Sequence, residues 1–215
     1  VPVCDTLRPL KPQTKMIMMV ANRESTNMTQ RKLLLAGNWK MNGSMDLVQQ
    51  MAHALIQQEK HPNVTCALLA PYLFIPELQQ TCQKSDLKWG AQHLHPQPCG
   101  AYTGDVNATL LEQFSCHYVL LGHSERRQYH QEDETFISQQ LEMLTDSNIE
   151  PILCIGESLQ EREQNTLFER LTTQLQPILT WHKKNPEKPF TLAYEPIWAI
   201  GTGITATVDQ AGQVH

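Results

Sequence analysis

Phe190-Thr191-Leu192-Ala193-Tyr194-Glu195-Pro196-Ile197-Trp198-Ala199-Ile200-Gly201-Thr202-Gly203 is the stretch around which the chain is organised. An apolar strand over 190–194 runs straight into a single carboxylate, and Pro196 follows at once. The residue before a proline is pushed towards extended geometry, so Glu195 sits at a strand tip with its side chain aimed past the sheet edge. A short apolar segment ended by two glycines comes next. That composition suits a loop closing over a small ligand: apolar side chains exclude water, glycines offer N–H groups, and loop ends absorb the hinge rotation. An ordinary strand-to-helix turn with a solvated glutamate would read the same way locally. The rest of the chain has to decide.

Outward from this stretch the pattern repeats. Short apolar strands are expected at Leu33 to Ala36, Val64 to Ala70, Leu87 to Ala91, Tyr118 to Leu121, Ile152 to Ile155 and Phe190 to Tyr194. Helices are expected between them: from a Ser44 cap to about Glu59, Pro76 to about Lys84, a short one reaching Ser115, and Phe136 to Asp146. A long helix from Leu159 to about Lys183 is expected to be kinked or divided by Pro177, and Val208 starts another. Strands alternating with helices imply a parallel sheet flanked by helices, either an open doubly wound sheet or a closed (β/α)8 barrel. No G-x-G-x-x-G or G-x-x-x-x-G-K-[ST] follows the first strand, which argues against nucleotide binding. Polar candidates instead follow strands one, four and six, at the carboxyl ends where a parallel barrel builds its site.

Composition narrows the classes. The 215 residues are 40% hydrophobic, enough for one sizeable core. A net charge of −5 and a pI near 6.0 offer no basic surface for nucleic acid or an anionic membrane. No apolar run approaches the roughly 20 residues of a membrane span. Six cysteines (Cys4, Cys66, Cys82, Cys99, Cys116 and Cys154) form no C-x-x-C pair, so neither a disulfide framework nor a zinc site is indicated. These features point to a soluble cytoplasmic protein acting on small molecules. Residues 1–30, with Pro2, Pro9 and Pro12 and no sustained period, read as a disordered extension or upstream sequence. The domain proper is expected over 31–215.

Four side chains could carry chemistry. Asn38 and Lys40 follow strand one, two residues apart and so on the same side of extended backbone. The lysine offers fixed positive charge for an anionic substrate, although a surface lysine is the ordinary alternative. His123 follows strand four and precedes Ser124-Glu125-Arg126-Arg127. With Ser124 capping the next helix, the helix N-terminus would disfavour protonation and leave a neutral imidazole able to polarise a carbonyl. A buried histidine satisfied by a backbone carbonyl is the competing reading. Glu195 is the natural base, since partial burial under the closing loop would raise its pKa. Base, neutral electrophile and cation together suit proton abstraction next to a carbonyl. His93 and His95 lie two apart without an evident third metal ligand. Glu157 is expected to cap a helix or form an ion pair, and Arg126 with Arg127 to make structural ion pairs.

Taken together, Gly37-Asn38-Trp39-Lys40-Met41-Asn42, Gly122-His123-Ser124-Glu125-Arg126-Arg127, Cys154-Ile155-Gly156-Glu157 and Tyr194 to Gly203 resemble the triosephosphate isomerase family. The resemblance runs from about Leu33 to the last residue. It implies a homodimeric (β/α)8 TIM barrel that interconverts dihydroxyacetone phosphate and D-glyceraldehyde 3-phosphate through an enediol(ate), in glycolysis and gluconeogenesis. It implies no metal and no cofactor. By position Glu195 resembles the family's base, His123 its electrophile, Lys40 its cation and Asn38 a substrate contact; these roles come from the resemblance, not from spacing. Glu125 resembles a supporting carboxylate and Gly201 the closing-loop amide that meets the phosphate. Ala101-Tyr102-Thr103-Gly104-Asp105 is similar to the loop that inserts into the partner subunit, with Thr103 near the partner's site.

There are departures. Ile204 stands where the family usually has Lys, and Val208 where it often has Pro. The family's last two strands, with their glycine-rich phosphate-binding turns, have no counterpart, so the barrel reads as truncated after the sixth βα unit. Strands one and six would then be open edges, and a non-catalytic or poorly folded remnant is the alternative to an active isomerase.

Overall fold

The structure, a computed structural model, describes residues 16–20, 33–59, 61–200, 207, 210 and 212–214, the first of these segments as backbone alone. Six strands pair in chain order and all in parallel: β2 (Leu33–Asn38), β3 (Val64–Leu69), β4 (Lys88–Ala91), β5 (Tyr118–Leu121), β6 (Glu150–Ile155) and β7 (Thr191–Tyr194). Between them run α1 (Met45–Ile56), α2 (Ile75–Cys82), α3 (Ala108–Gln113), α4 (Ser124–His130), α5 (Glu134–Glu142), α6 (Leu159–Glu163) and α7 (Leu167–Lys184). Parallel neighbours need crossovers, and the helices supply them while covering the outer face of the sheet. The (β/α) repeat expected from the sequence is therefore the architecture, in its curled barrel form rather than as an open sheet.

The N-terminal region corrects the sequence reading. Five residues of the stretch expected to be disordered form a strand, β1 (Met16–Val20). It runs antiparallel to β2 in a register from Met16 opposite Gly37 to Val20 opposite Leu33. On its other side Val20 stands opposite Leu192 of β7, also antiparallel. The sheet thus closes on itself as β1 to β7, and the two edges expected to be open are both paired through β1. A run as short as Met-Ile-Met-Met-Val has no period long enough to distinguish a strand from an apolar stretch in a tail. Only the two waiting edges decide it.

The long C-terminal helix is divided, but not by its proline. Pro177 lies buried within α7, which runs on through it. The break falls at 164–166, where Asn165 adopts a left-handed φ of 58° and ends α6. Asparagine tolerates that conformation, whereas α7 keeps its apolar face (Leu167, Leu171, Ile178 and Trp181) buried on both sides of the proline. The packing of that face holds the helix together across one lost donor.

Two apolar layers result. Strand residues alternate in direction, and one set, namely Leu34, Ala36, Ala67, Leu69, Leu120, Ile152, Cys154 and Ala193, fills the barrel interior. The other set, with Leu68, Val119, Leu121, Leu153 and Ile155, meets the helices through Val48, Leu78, Leu111, Ile137, Leu141, Ile178 and Trp181. Burial on both faces explains why the strands read as unbroken apolar runs. Ile152 is fully buried in the inner layer. Ile152→Ala should lower the unfolding free energy by about 2–5 kcal/mol through lost transfer energy and a residual cavity. Denaturant titration measures it.

Candidate active site

Asn38, Lys40, His123 and Glu195 emerge from β2, β5 and β7 at the carboxyl ends of the strands. Asn38 is buried, and its Oδ1 accepts a hydrogen bond from the backbone N–H of Lys40 at 2.9 Å. That bond holds Lys40 at a φ of +52°, uncommon for a residue with a Cβ. The lysine Nζ reaches across to pair with Glu125 Oε1. A residue the sequence reading missed also fixes this turn. Gln92, directly after β4, donates from Nε2 to Lys40 O at 3.0 Å, Leu69 O at 2.9 Å and Asn38 Oδ1 at 3.2 Å. Its signal was the same as that of the residues singled out: a polar side chain straight after an apolar strand.

His123 owes its place to the turn after β5. Gly122 has a φ of +64°, and a Cβ there would come within 2.8 Å of Arg127 Nη2 and Ile137 Cδ1. Arg127 Nε donates to Gly122 O at 2.7 Å, pinning the turn to α4. His123, not Ser124, is the N-cap, and Ser124 is the first helical residue. The imidazole Nδ1 accepts from the backbone N–H of Glu125 at 3.3 Å, which places the ring proton on Nε2. Burial pushes the His123 pKa down to about 4, with Lys40 and Arg126 acting in the same direction against Glu125. Removal from water outweighs the neighbouring carboxylate, so the neutral ring is held chiefly by desolvation.

Glu195 follows β7 and is only 7% exposed. Its backbone N–H donates to Ile155 O at 2.8 Å, and its carbonyl passes so close to Gly156 that an added Cβ there would lie 1.8 Å away. Only glycine fits beneath it. The carboxylate Oε1 accepts the backbone N–H of Ser124 at 2.8 Å. Oε2 lies 3.3 Å from His123 Nε2, which makes no hydrogen bond to the described residues. Burial raises the Glu195 pKa to about 7, against the pull of the Ser124 N–H and Lys40. A buried base near neutrality thus faces a neutral N–H donor.

Glu157 anchors the segment after Glu195. It is fully buried, and its Oε1 accepts from Arg162 Nη1 at 2.9 Å, Tyr194 OH at 3.0 Å and Trp198 Nε1 at 2.8 Å. The expected ion pair is present, with two hydrogen bonds the sequence did not suggest. Arg126 and Arg127 pair with Glu132 at 2.6 Å and Glu134 at 2.9 Å. His93 meets Glu132 at 3.2 Å and His95 meets Asp105 at 3.5 Å, so the two histidines turn to different partners. Thr103 lies on the exposed loop after β4. Gly201, Ile204 and Val208 lie outside the described residues.

The two buried groups give opposite pH dependences. His123, lowered from 6.5 to about 4, contributes stability that is full above 6.5 and is lost as pH falls to about 4. Glu195, raised from 4.5 to about 7, contributes stability that is full below 4.5 and is lost as pH rises to about 7. Where these ranges overlap, between about 4.5 and 6.5, the two slopes offset each other. In Glu195→Gln the Glu195 slope is removed, so unfolding free energy should rise more steeply with pH between about 4.5 and 6.5 than in the unmodified chain, while His93 and His117, also lowered by burial, act alike in both proteins. Denaturant titrations of both proteins at several pH values read this, and equal slopes count against a raised Glu195.

Comparison with known proteins places this arrangement in a family. The family model described as triosephosphate isomerase matches residues 33–215. The chain is 41% identical over 189 residues to the triosephosphate isomerase of Legionella pneumophila (strain Lens), covering 86% of this chain and 74% of that protein. It is 39% identical over 187 residues to the enzyme of the same name from Nitrosococcus oceani, with 86% and 74% covered. The corresponding protein of Clostridium tetani is 36% identical over 184 residues, with 86% and 72% covered. A neutral histidine and a buried glutamate at the strand ends of a parallel barrel, together with these matches over most of the chain, make it a member of the triosephosphate isomerase family.

Proposed function

We propose that the chain interconverts dihydroxyacetone phosphate and D-glyceraldehyde 3-phosphate by moving a proton between adjacent carbons. The observation that carries this is the pairing of Glu195, raised to about 7, with the neutral His123 N–H across 3.3 Å. The Glu195 carboxylate takes the proton from the carbon beside the carbonyl, and the carbonyl becomes an enediolate. The His123 Nε2–H donates to the oxygen on which charge develops, without first having to lose a proton. Glu195 returns its proton to the neighbouring carbon, while the proton of the original hydroxyl passes by way of His123 Nε2 to the former carbonyl oxygen, so that carbonyl and hydroxyl exchange places. Substrate and product are isomers, so the balance requires no oxidant and no cofactor. Lys40 supplies positive charge for the phosphate-bearing substrate, Asn38 a contact at the floor of the site, and Glu125 holds Lys40. Gly201 is assigned, through the family resemblance, as the loop amide that meets the phosphate.

A second copy of the chain is the proposed partner. The loop after β4 presents Tyr102 and Thr103 exposed, and Thr103 is assigned to the neighbourhood of the partner's site. No helix among the described residues is long and apolar enough to cross a membrane. Cys66, Cys82, Cys99, Cys116 and Cys154 are free thiols, which supports a reducing compartment such as the cytoplasm. There the reaction serves glycolysis and gluconeogenesis.

The alternative of a non-catalytic remnant is separated by turnover. The purified chain should interconvert the two triose phosphates, and Glu195→Gln should lower kcat by about 10²–10⁴-fold while a phosphate-bearing inhibitor still binds. Exchange of the carbon-bound proton with solvent follows the step directly. Absence of turnover in the unmodified chain would reject the proposal.

A further inference from the structure

β1 joins the two strands that carry opposite halves of the site. β2 leads into Asn38 and Lys40, and β7 leads into Glu195. In the chain-order sheet these are the first and last parallel strands, and β1 is the strand standing between them. Five residues are in register with β2, from Met16–Gly37 to Val20–Leu33, and among the described residues Val20 is in register with Leu192 of β7. Met16, at the start of β1, lies opposite Gly37, the residue before Asn38. The strand thus spans β2 up to the end that carries the site.

We infer that the Met16–Val20 strand is a positioning element for the isomerase site, holding the β2 residues Asn38 and Lys40 at their working distance from Glu195 on β7. This rests on the function proposed above. Among the described residues β1 is the outer partner of both β2 and β7, so without it the described sheet is open between those two strands. An opened sheet relaxes by changing its twist and curl, and that changes the distance between its first and last strands. A displacement of about 1 Å in catalytic geometry can cost about 10²-fold in rate.

The test uses the full chain. Cα partners across an antiparallel pair lie at a distance a disulfide can span, so cysteines at Val20→Cys and Leu192→Cys should cross-link within one chain under mild oxidant. The single-cysteine variants should not. Oxidised V20C/L192C should keep its turnover and melt at a higher temperature than its reduced form. In the second variant, Met18→Pro with Met19→Pro, N–H groups are removed from the middle of β1, where Met18 and Met19 stand opposite Leu35 and Leu34, loosening the strand from β2. Its kcat should fall about 10²-fold and its melting temperature should drop. Failure of the cross-link, or a proline variant with unchanged turnover, overturns the inference. If the unmodified chain has no turnover, the functional reading fails by itself. The strand's role is then judged from the His123 imidazole resonances, which should shift in the proline variant; unmoved resonances would overturn it.

Discussion

Burial of the Glu195 carboxylate is the constraint on which the rest of the arrangement depends. Taking a carboxyl group out of water raises its pKa and costs stability whenever the group is charged. The Ser124 N–H at the start of α4 meets part of that cost, and the same turn presents His123. One helix start therefore serves both buried groups. The carboxylate holds a proton more tightly because it is buried, and its charge is tolerable because a backbone donor reaches it.

That burial demands close backbone packing at the carboxyl ends of β6 and β7. Gly156 leaves room for the Glu195 carbonyl, and Ile155 O receives the Glu195 N–H. Gln174, fully buried on α7, closes the same corner by accepting from Gly156 N at 2.8 Å and donating to Gly156 O at 3.0 Å. Just beyond, Glu157 gathers Tyr194, Trp198 and Arg162, and the Arg162 guanidinium lies 5.3 Å from the centre of the Trp198 ring. The segment after the base is thus tied to the barrel through one buried carboxylate. The cation side has a matching support, since Asn38 and Gln92 together fix the Lys40 backbone.

Local sequence was informative where one residue type answers one physical demand. A proline after Glu195 and a polar residue ending each apolar strand revealed the parallel repeat and most of the candidate site. Gln92 carried the same signal. Its contribution is geometric, made through three acceptors contributed by β2, β3 and the turn after β2. The cause of the His123 shift was also misplaced. A helix N-terminus is visible in sequence, but the extent of desolvation is not.

By itself, then, the sequence determined the alternation of strands and helices, the face on which the polar residues gather, and the candidacy of Glu195, His123 and Lys40. Those come from period, proline placement and side-chain chemistry, all of which act over a few residues. Tertiary structure alone decided that Met16–Val20 is a strand, that α7 passes through Pro177, and that the Glu195 carboxylate stands 3.3 Å from His123 Nε2. Each of these depends on groups far apart in the chain: two sheet edges in need of partners, an apolar helix face packed on both sides of a proline, and two side chains removed from water together. No local window contains both members of such a pair, and their free energy exists only once the barrel has closed.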